Sequence, residues 1–194
     1  MPETLTITAL REAVQHCEGC PLYANATQAV FGEGVLGSEV VLVGEQPGDQ
    51  EDRAGAPFVG PAGKLLDRAL EEAGIDRRKT YVTNAVKHFK WKARGTRRIH
   101  DKPSWTEQVA CRPWLEAELA LVKPKALVLM GATAAQSLLG KSFKVTQNRG
   151  VPIESDLAEL VTATIHPSAV LRSDDREAMF AGLVDDLRVV AQAV

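Results

Sequence analysis

The sequence predicts an α/β protein, with helices laid on both faces of a central parallel sheet. Three observations carry this prediction. Four short runs are apolar almost throughout, helical patterns alternate with them along the chain, and chemically active side chains gather where the runs end. Continuous apolar runs suit strands covered on both faces, as parallel sheets are. Strict alternation of strand and helix calls for right-handed crossovers. The expected architecture is a three-layer α/β/α sandwich around a four-stranded parallel sheet, one domain over 1–194 with a basic insertion at about 89–104.

Each element has a local warrant. Glu39 to Gly44 is a strand stopped by its glycine. Tyr81 to Val86, Ala126 to Gly131 and Leu160 to Ile165 repeat the pattern. Leu65, Leu66, Ala69, Leu70 and Ala73 recur at helical spacing and end at Gly74. Thr106 to Leu121 forms a second helix closed by Pro124. Ala132 to Leu139 is a short third one ending at Gly140, and Met179 to Val190 an amphipathic last. Gly60-Pro61-Ala62-Gly63-Lys64 is similar to the end of a phosphate loop, but the first glycine would fall at Phe58 and Leu65 replaces the hydroxyl residue. It is better explained as a turn opening the helix near Ala62.

Composition excludes several classes. Hydrophobic residues make up 45% and charged residues 25% of the 194, a globular balance. No apolar run approaches the roughly 20 residues of a membrane helix, and the N-terminus lacks a signal-peptide layout. The expectation is a cytoplasmic protein with no membrane partner, monomeric by default. Three cysteines are an odd number and too few for a disulfide framework.

In open α/β sheets ligands bind at the carboxyl ends of the strands. Here the first strand runs into Gly44-Glu45-Gln46-Pro47-Gly48-Asp49. The second contains Asn84 and exits into Lys87-His88, and the fourth exits into His166-Pro167-Ser168. Singly these are a turn carboxylate, a strand-end amide and a histidine before proline. Together they place a carboxylate, an amide and an imidazole on one rim.

Cys17-Glu18-Gly19-Cys20 is a Cys-x-x-Cys pair that precedes the sheet, a position that suits metal or cluster binding better than redox exchange. Cys111, mid-helix before Arg112-Pro113, reads alone as a small buried hydrophobe. As a fourth ligand His88 is better placed than His16, which adjoins Cys17. Residue types leave zinc and an iron–sulfur cluster both open.

From Lys87 to Lys102 stand seven Lys or Arg (Lys87, Lys90, Lys92, Arg94, Arg97, Arg98, Lys102) against Asp101 alone. That stretch is +6, and the other 178 residues are −8 within a total of −2. A charge run is usually a solvated face. Interleaved Phe89 and Trp91, beside the rim, tilt this one toward a polyanion such as a nucleic-acid backbone. His100, at the end of Arg97-Arg98-Ile99-His100, is either an ordinary loop histidine or a nucleophile oriented by Glu45.

These segments together resemble the uracil-DNA glycosylase superfamily. Its motif pair is Gly44-Glu45-Gln46-Pro47-Gly48 and His166-Pro167-Ser168-Ala169-Val170-Leu171-Arg172, with Pro57 to Gly63 and Thr83-Asn84-Ala85-Val86-Lys87 between. The layout is that of the cluster-bearing family 4. Gln46, His88 in place of a family 4 cysteine, and the Arg97-Arg98-Ile99-His100 loop point to the UdgX branch, although Thr96 replaces that branch's lysine.

The resemblance implies a glycosylase acting on uracil-containing DNA, single-stranded or with the base flipped out. Gly44, Asp49, Phe58, Asn84 and Ser168 are expected around the base. Phe58 would stack on uracil, Asn84 would read its pairing edge, and His166 would stabilise the departing anion. His100 would attack C1′ and stay bonded, with Glu45 as its base and Gln46 helping to position it. Arg94, Arg97, Arg98, Leu171 and Arg172 would meet DNA, with Leu171 filling the vacated stack. Cys17, Cys20, His88 and Cys111 would hold a structural [4Fe-4S] cluster. The alternatives are a multiple-turnover hydrolytic family 4-like glycosylase and a metal-stabilised DNA-binding module without chemistry.

Overall fold

A computed structural model describes residues 1–194. Its first half contains α1 (Ile7–Val14), β1 (Val40–Gly44), α2 (Asp49–Ala54), α3 (Pro61–Ala73) and β2 (Thr80–Asn84). A hairpin of β3 (Trp91–Arg94) and β4 (Arg97–His100) follows, then α4 (Trp105–Val122), β5 (Ala126–Met130) and α5 (Ala132–Leu139). The chain ends with α6 (Val145–Asn148), β6 (Pro152–Ile153), β7 (Leu160–Thr164), α7 (Pro167–Arg172) and α8 (Arg176–Ala191). No helix is long and apolar enough to cross a membrane.

The main sheet runs in the order β2-β1-β5-β7-β6. The four predicted strands are its parallel members. The sheet has a fifth strand that the sequence did not predict: β6 pairs antiparallel with β7 through Pro152 and Ile153. Two residues are too few to show periodicity, and Pro152 is tolerated because an edge strand leaves its missing N–H facing no partner. The helices α1, α2, α6 and α7 were also unpredicted; each has at most eight residues.

Alternation along the strands builds two cores. Val40, Leu42, Val82, Val128 and Met130 face α3 and α8, meeting Leu66, Leu70, Leu183 and Leu187. Val41, Val43, Tyr81, Leu127 and Leu129 face the other way, onto Leu115 and Leu119 of α4 and Ala134 and Ala135 of α5. The expected three layers follow from these two faces.

Chain order fixes where a ligand can enter. From β1 the chain crosses to β2 on one side, and β5 and β7 lie on the other, so the order reverses between β1 and β5. Crossovers leave to opposite sides there and open a crevice beyond the strand ends. Glu45 follows β1 and Gly131 follows β5 at that point.

Candidate active site

A cavity of about 480 Å³ fills the crevice, lined among others by Glu45, Gln46, Phe58, Asn84, His100 and His166. The residues expected on the rim, far apart in sequence, thus share one pocket. Asn84 ends β2 in register with Gly44 and is 3% exposed. A side chain on Gly44 would place its Cβ 2.4 Å from Asn84 Oδ1 and 2.6 Å from the Phe58 ring, so glycine lets the amide and ring close over the strand end. Phe58 has φ of 56°, a left-handed conformation unusual for an aromatic residue. The next turn makes this possible: a Cβ on Gly63 would fall 1.7 Å from the Phe58 carbonyl oxygen. The Phe58 ring stacks on His166 with centroids 6.1 Å apart.

His166 has a defined tautomer. The Ser168 backbone N–H donates to its Nδ1 at 3.2 Å, and the Ser168 hydroxyl lies 2.8 Å from the same nitrogen. Arg172 Nη1 donates to Ser168 Oγ at 3.1 Å, which leaves the hydroxyl hydrogen for Nδ1. A backbone N–H can only donate, so Nδ1 is the acceptor and the ring proton sits on Nε2. Burial, only partly offset by Glu45, pushes this imidazole down to about 4, so it is a neutral donor at ordinary pH.

Glu45 divides its two oxygens. Oε1 lies 2.9 Å from His100 Nε2, and Oε2 accepts from the Thr133 hydroxyl. Burial pushes the carboxyl up. The hydrogen bonds from His100 and Thr133, with the nearby imidazoles, outweigh that and hold it below the usual range. His100 itself is half exposed, at 50% of its side chain. The cavity's inner wall is therefore anionic at Glu45, and its outer lip carries an accessible imidazole.

The basic insertion is a two-stranded antiparallel hairpin in which Trp91 pairs with His100 and Arg94 with Arg97. Gln46 staples its base: Nε2 donates to the carbonyls of Lys90 at 3.1 Å and Asp101 at 3.0 Å, and Oε1 accepts from Lys90 N–H at 3.0 Å. Gln46 thus positions the hairpin that carries His100, rather than touching the histidine.

Two residues expected at the base or the DNA have partners within the chain. Arg98, read as a DNA contact, is 15% exposed and committed elsewhere: Nε donates to Asp49 at 2.6 Å and Nη1 to Asp52 at 2.7 Å. Its guanidinium also lies over Phe89 and Trp91. Asp49, expected at the base, instead receives Arg98 and Arg53 and lies outside the cavity lining. The charge run is likewise less free than its +6 implied. Lys87 is fully buried against Glu118, Lys90 pairs with Glu107 and Lys92 with Asp101. Arg94, Arg97 and Lys102 remain exposed without an ion-pair partner. Arg172 is exposed and Leu171 partly buried on α7, beside the cavity mouth.

The three cysteines gather against Leu10, Val86 and Trp114. Trp114 Nε1 donates to Cys17 Sγ at 3.2 Å and the Lys87 backbone N–H to Cys111 Sγ at 3.2 Å. Burial pushes the Cys111 thiol up to about 11, and the other two cysteines add to the rise. His88 is 4% exposed, and burial depresses its imidazole, leaving it in the neutral form a ligand needs. No three His, Cys, Asp or Glu side chains stand close enough to share one metal ion. A four-iron cubane takes one ligand per iron, so its donors stand further apart than those of a single zinc. Three gathered sulfurs, two of which already accept N–H bonds, fit such a group.

Sequence reasoning missed two residues. Glu51, 9% exposed, accepts from Gly48 N–H at 3.1 Å and Gly60 N–H at 2.7 Å, tying together the two turns that flank the cavity. Its spacing from Gly48 was a readable capping signal. Thr133 had no such signal, being one small residue in a predicted helix.

A parallel α/β sheet with an aromatic-walled cavity at its switch point, edged by an amide and a neutral imidazole donor, defines a protein built to hold a flat, polar-edged ring. Residues 31–188 match the family described as the uracil DNA glycosylase superfamily. The chain is 41% identical over 168 residues to the type-4 uracil-DNA glycosylase of Thermotoga maritima, covering 86% of this chain and 83% of that protein. It is 34% identical over 176 residues to the type-4 uracil-DNA glycosylase of Pyrobaculum aerophilum, covering 87% and 86%. With that of Archaeoglobus fulgidus the identity is 34% over 166 residues, covering 81% and 79%. The chain belongs to the uracil DNA glycosylase superfamily.

Proposed function

We propose that the protein is a uracil-DNA glycosylase that captures its own product through His100. The observation that carries this reading is the Glu45–His100 pair, 2.9 Å apart at the lip of the cavity. Uracil flipped from DNA stacks on Phe58, and the Asn84 amide, which bonds to no other group of the chain, reads its edge. The C1′–N1 bond breaks with its electron pair going to uracil, and His166 Nε2–H donates to the O2 on which charge develops. A ring nitrogen of His100 forms the new bond to C1′. The resulting imidazolium stays paired with Glu45. The product is an abasic sugar bonded to the protein.

Arg94, Arg97 and Arg172 would meet phosphates, and Leu171 would fill the gap left by the flipped base. Cys17, Cys20, His88 and Cys111 would hold a [4Fe-4S] cluster, supplying a rigid cross-link between the N-terminal segment, the loop after β2 and α4. Iron and sulfide in the purified protein, with visible absorption lost on reduction, are expected; a colourless zinc protein would remove the cluster from this reading.

His100→Ser tests the nucleophile. On uracil-containing single-stranded DNA the wild type should give a heat-stable adduct on denaturing gels. His100→Ser should give free uracil and no adduct, since water then reaches C1′. An adduct that survives the substitution would falsify the assignment. The second reading, a hydrolytic enzyme in which Glu45 activates water, draws support from the type-4 names of the relatives. Wild type that turns over repeatedly without adduct would select it. Binding with no uracil release would select the DNA-binding module.

A further inference from the structure

We propose that Thr133 is a positioning residue for this reaction, turning the Glu45 carboxylate toward His100 by taking up its second oxygen. The inference rests on the reading that Glu45 works on His100. A carboxylate at the end of a strand has a free terminal rotation, and a single contact to a half-exposed histidine would leave it free to turn. Here Oε1 meets His100 Nε2 at 2.9 Å and Oε2 accepts the Thr133 hydroxyl hydrogen. Thr133 is 1% exposed, so water does not compete for its hydroxyl.

The bracket is built into the switch point. Thr133 is the second residue of α5, whose N-cap, Gly131, has no side chain to satisfy the first-turn N–H groups. The helix therefore presents its positive end on the side where the carboxylate lies. Beneath it, Ser137 Oγ donates to the Thr133 carbonyl at 2.7 Å and lies 3.3 Å from Gln108 Oε1. Gln108 Nε2 in turn donates to the Pro103 carbonyl at 3.1 Å, three residues beyond His100. Ser137 and Gln108 thus fill the buried space between α5 and the segment that follows β4. The charged or titratable groups facing Glu45 are His100 from β4 and His166 from the start of α7, with Arg172 acting on His166. From α5 it receives only the hydroxyl and the helix end.

The test compares Thr133→Val, Thr133→Ala and Thr133→Ser with wild type in single-turnover assays, following free uracil and adduct across the acid and neutral range. Val and Ala should slow the reaction about ten-fold at neutral pH, as loss of one hydrogen bond to a charged group does. They should also move the midpoint of the acid limb upward, because a carboxylate without that donor protonates more readily. Ser should restore both. Wild-type rates with an unmoved midpoint in Val and Ala would overturn the proposal. So would slower reaction with a lowered Tm and an unmoved midpoint, or failure of both variants to fold, since Thr133 would then be structural. Failure of the underlying reading looks different: no uracil release by wild type, or no effect of Glu45→Gln.

Discussion

Glu45, Asn84 and His166 follow or end strands that are buried and laddered to their neighbours, whereas His100 arrives on one arm of a two-stranded hairpin with three of its four residues exposed. The rim is therefore placed by the main chain and needs few side-chain supports. A lone hairpin is marginal in water, and this one is held against the sheet by Gln46, by Arg98 on Asp49 and Asp52, and by Lys90 on Glu107. The comparison teaches that the pocket wall belongs to the rigid part of the molecule, and that the covalent capture proposed above would depend on a small number of polar staples.

The largest expected effect comes from breaking the rim from behind. Glu118, 1% exposed, accepts from Gly32 N–H, the Tyr81 hydroxyl and Thr83, and pairs with Lys87, whose Nζ also donates to the Asn84 carbonyl at 2.8 Å. Lys87→Met leaves that carboxylate buried without its cation. It should cost about 3–5 kcal/mol, lowering Tm by roughly 6–20 °C, measured by calorimetry on the holoprotein.

Next is the chemistry of the rim itself. His166→Ala removes the donor proposed for uracil O2 and should slow uracil release about 100- to 1000-fold in single-turnover assays, with adduct falling in step. The hairpin should separate the two readouts. Arg98→Ala frees Asp49 and Asp52 and loosens β4, so adduct formation should slow about ten-fold while uracil release changes little. Equal loss of both would show that the hairpin also serves the base-reading step.

The smallest effect is the pH response. His166 has its folded value depressed to about 4 from an ordinary 6.5, so the folded state binds fewer protons than the unfolded one across that window. Its contribution to stability is present above about 6.5 and is lost as pH falls toward about 4. Glu45, also depressed, acts in the same direction at acid pH. Uracil release should be flat at neutral pH and decline only at the acid end. A decline centred on the ordinary imidazole value would mean that His166 is not neutral by burial.

The four parallel strands and the helices α3, α4, α5 and α8 were legible because long apolar periods leave a mark that neighbouring residues repeat. The short elements β6, α2, α6 and α7 were not, having at most six residues each in which to show a period, and the eight-residue α1 was missed as well. At the site, Gly44, Glu45, Asn84 and His166 could be read from strand ends and Glu51 from its spacing to Gly48, while Thr133 could not. A side chain that acts by reaching across the sheet carries no trace of its partner in its own neighbourhood.

The basic run is the clearest case of the same limit. Sequence by itself determined that seven cations lie between Lys87 and Lys102 and that three cysteines and four histidines are all the thiol and imidazole ligands in its 194 residues. Tertiary structure decided that Lys87 is buried on Glu118, that Arg98 clamps the hairpin to α2, and that Arg94 and Arg97 stay exposed. It also decided that Glu45 faces His100 and Thr133 at once. Charge and periodicity are properties of a local stretch of chain, and survive reading in one dimension. Pairing is set by distances between segments that only the crossing of the sheet brings together.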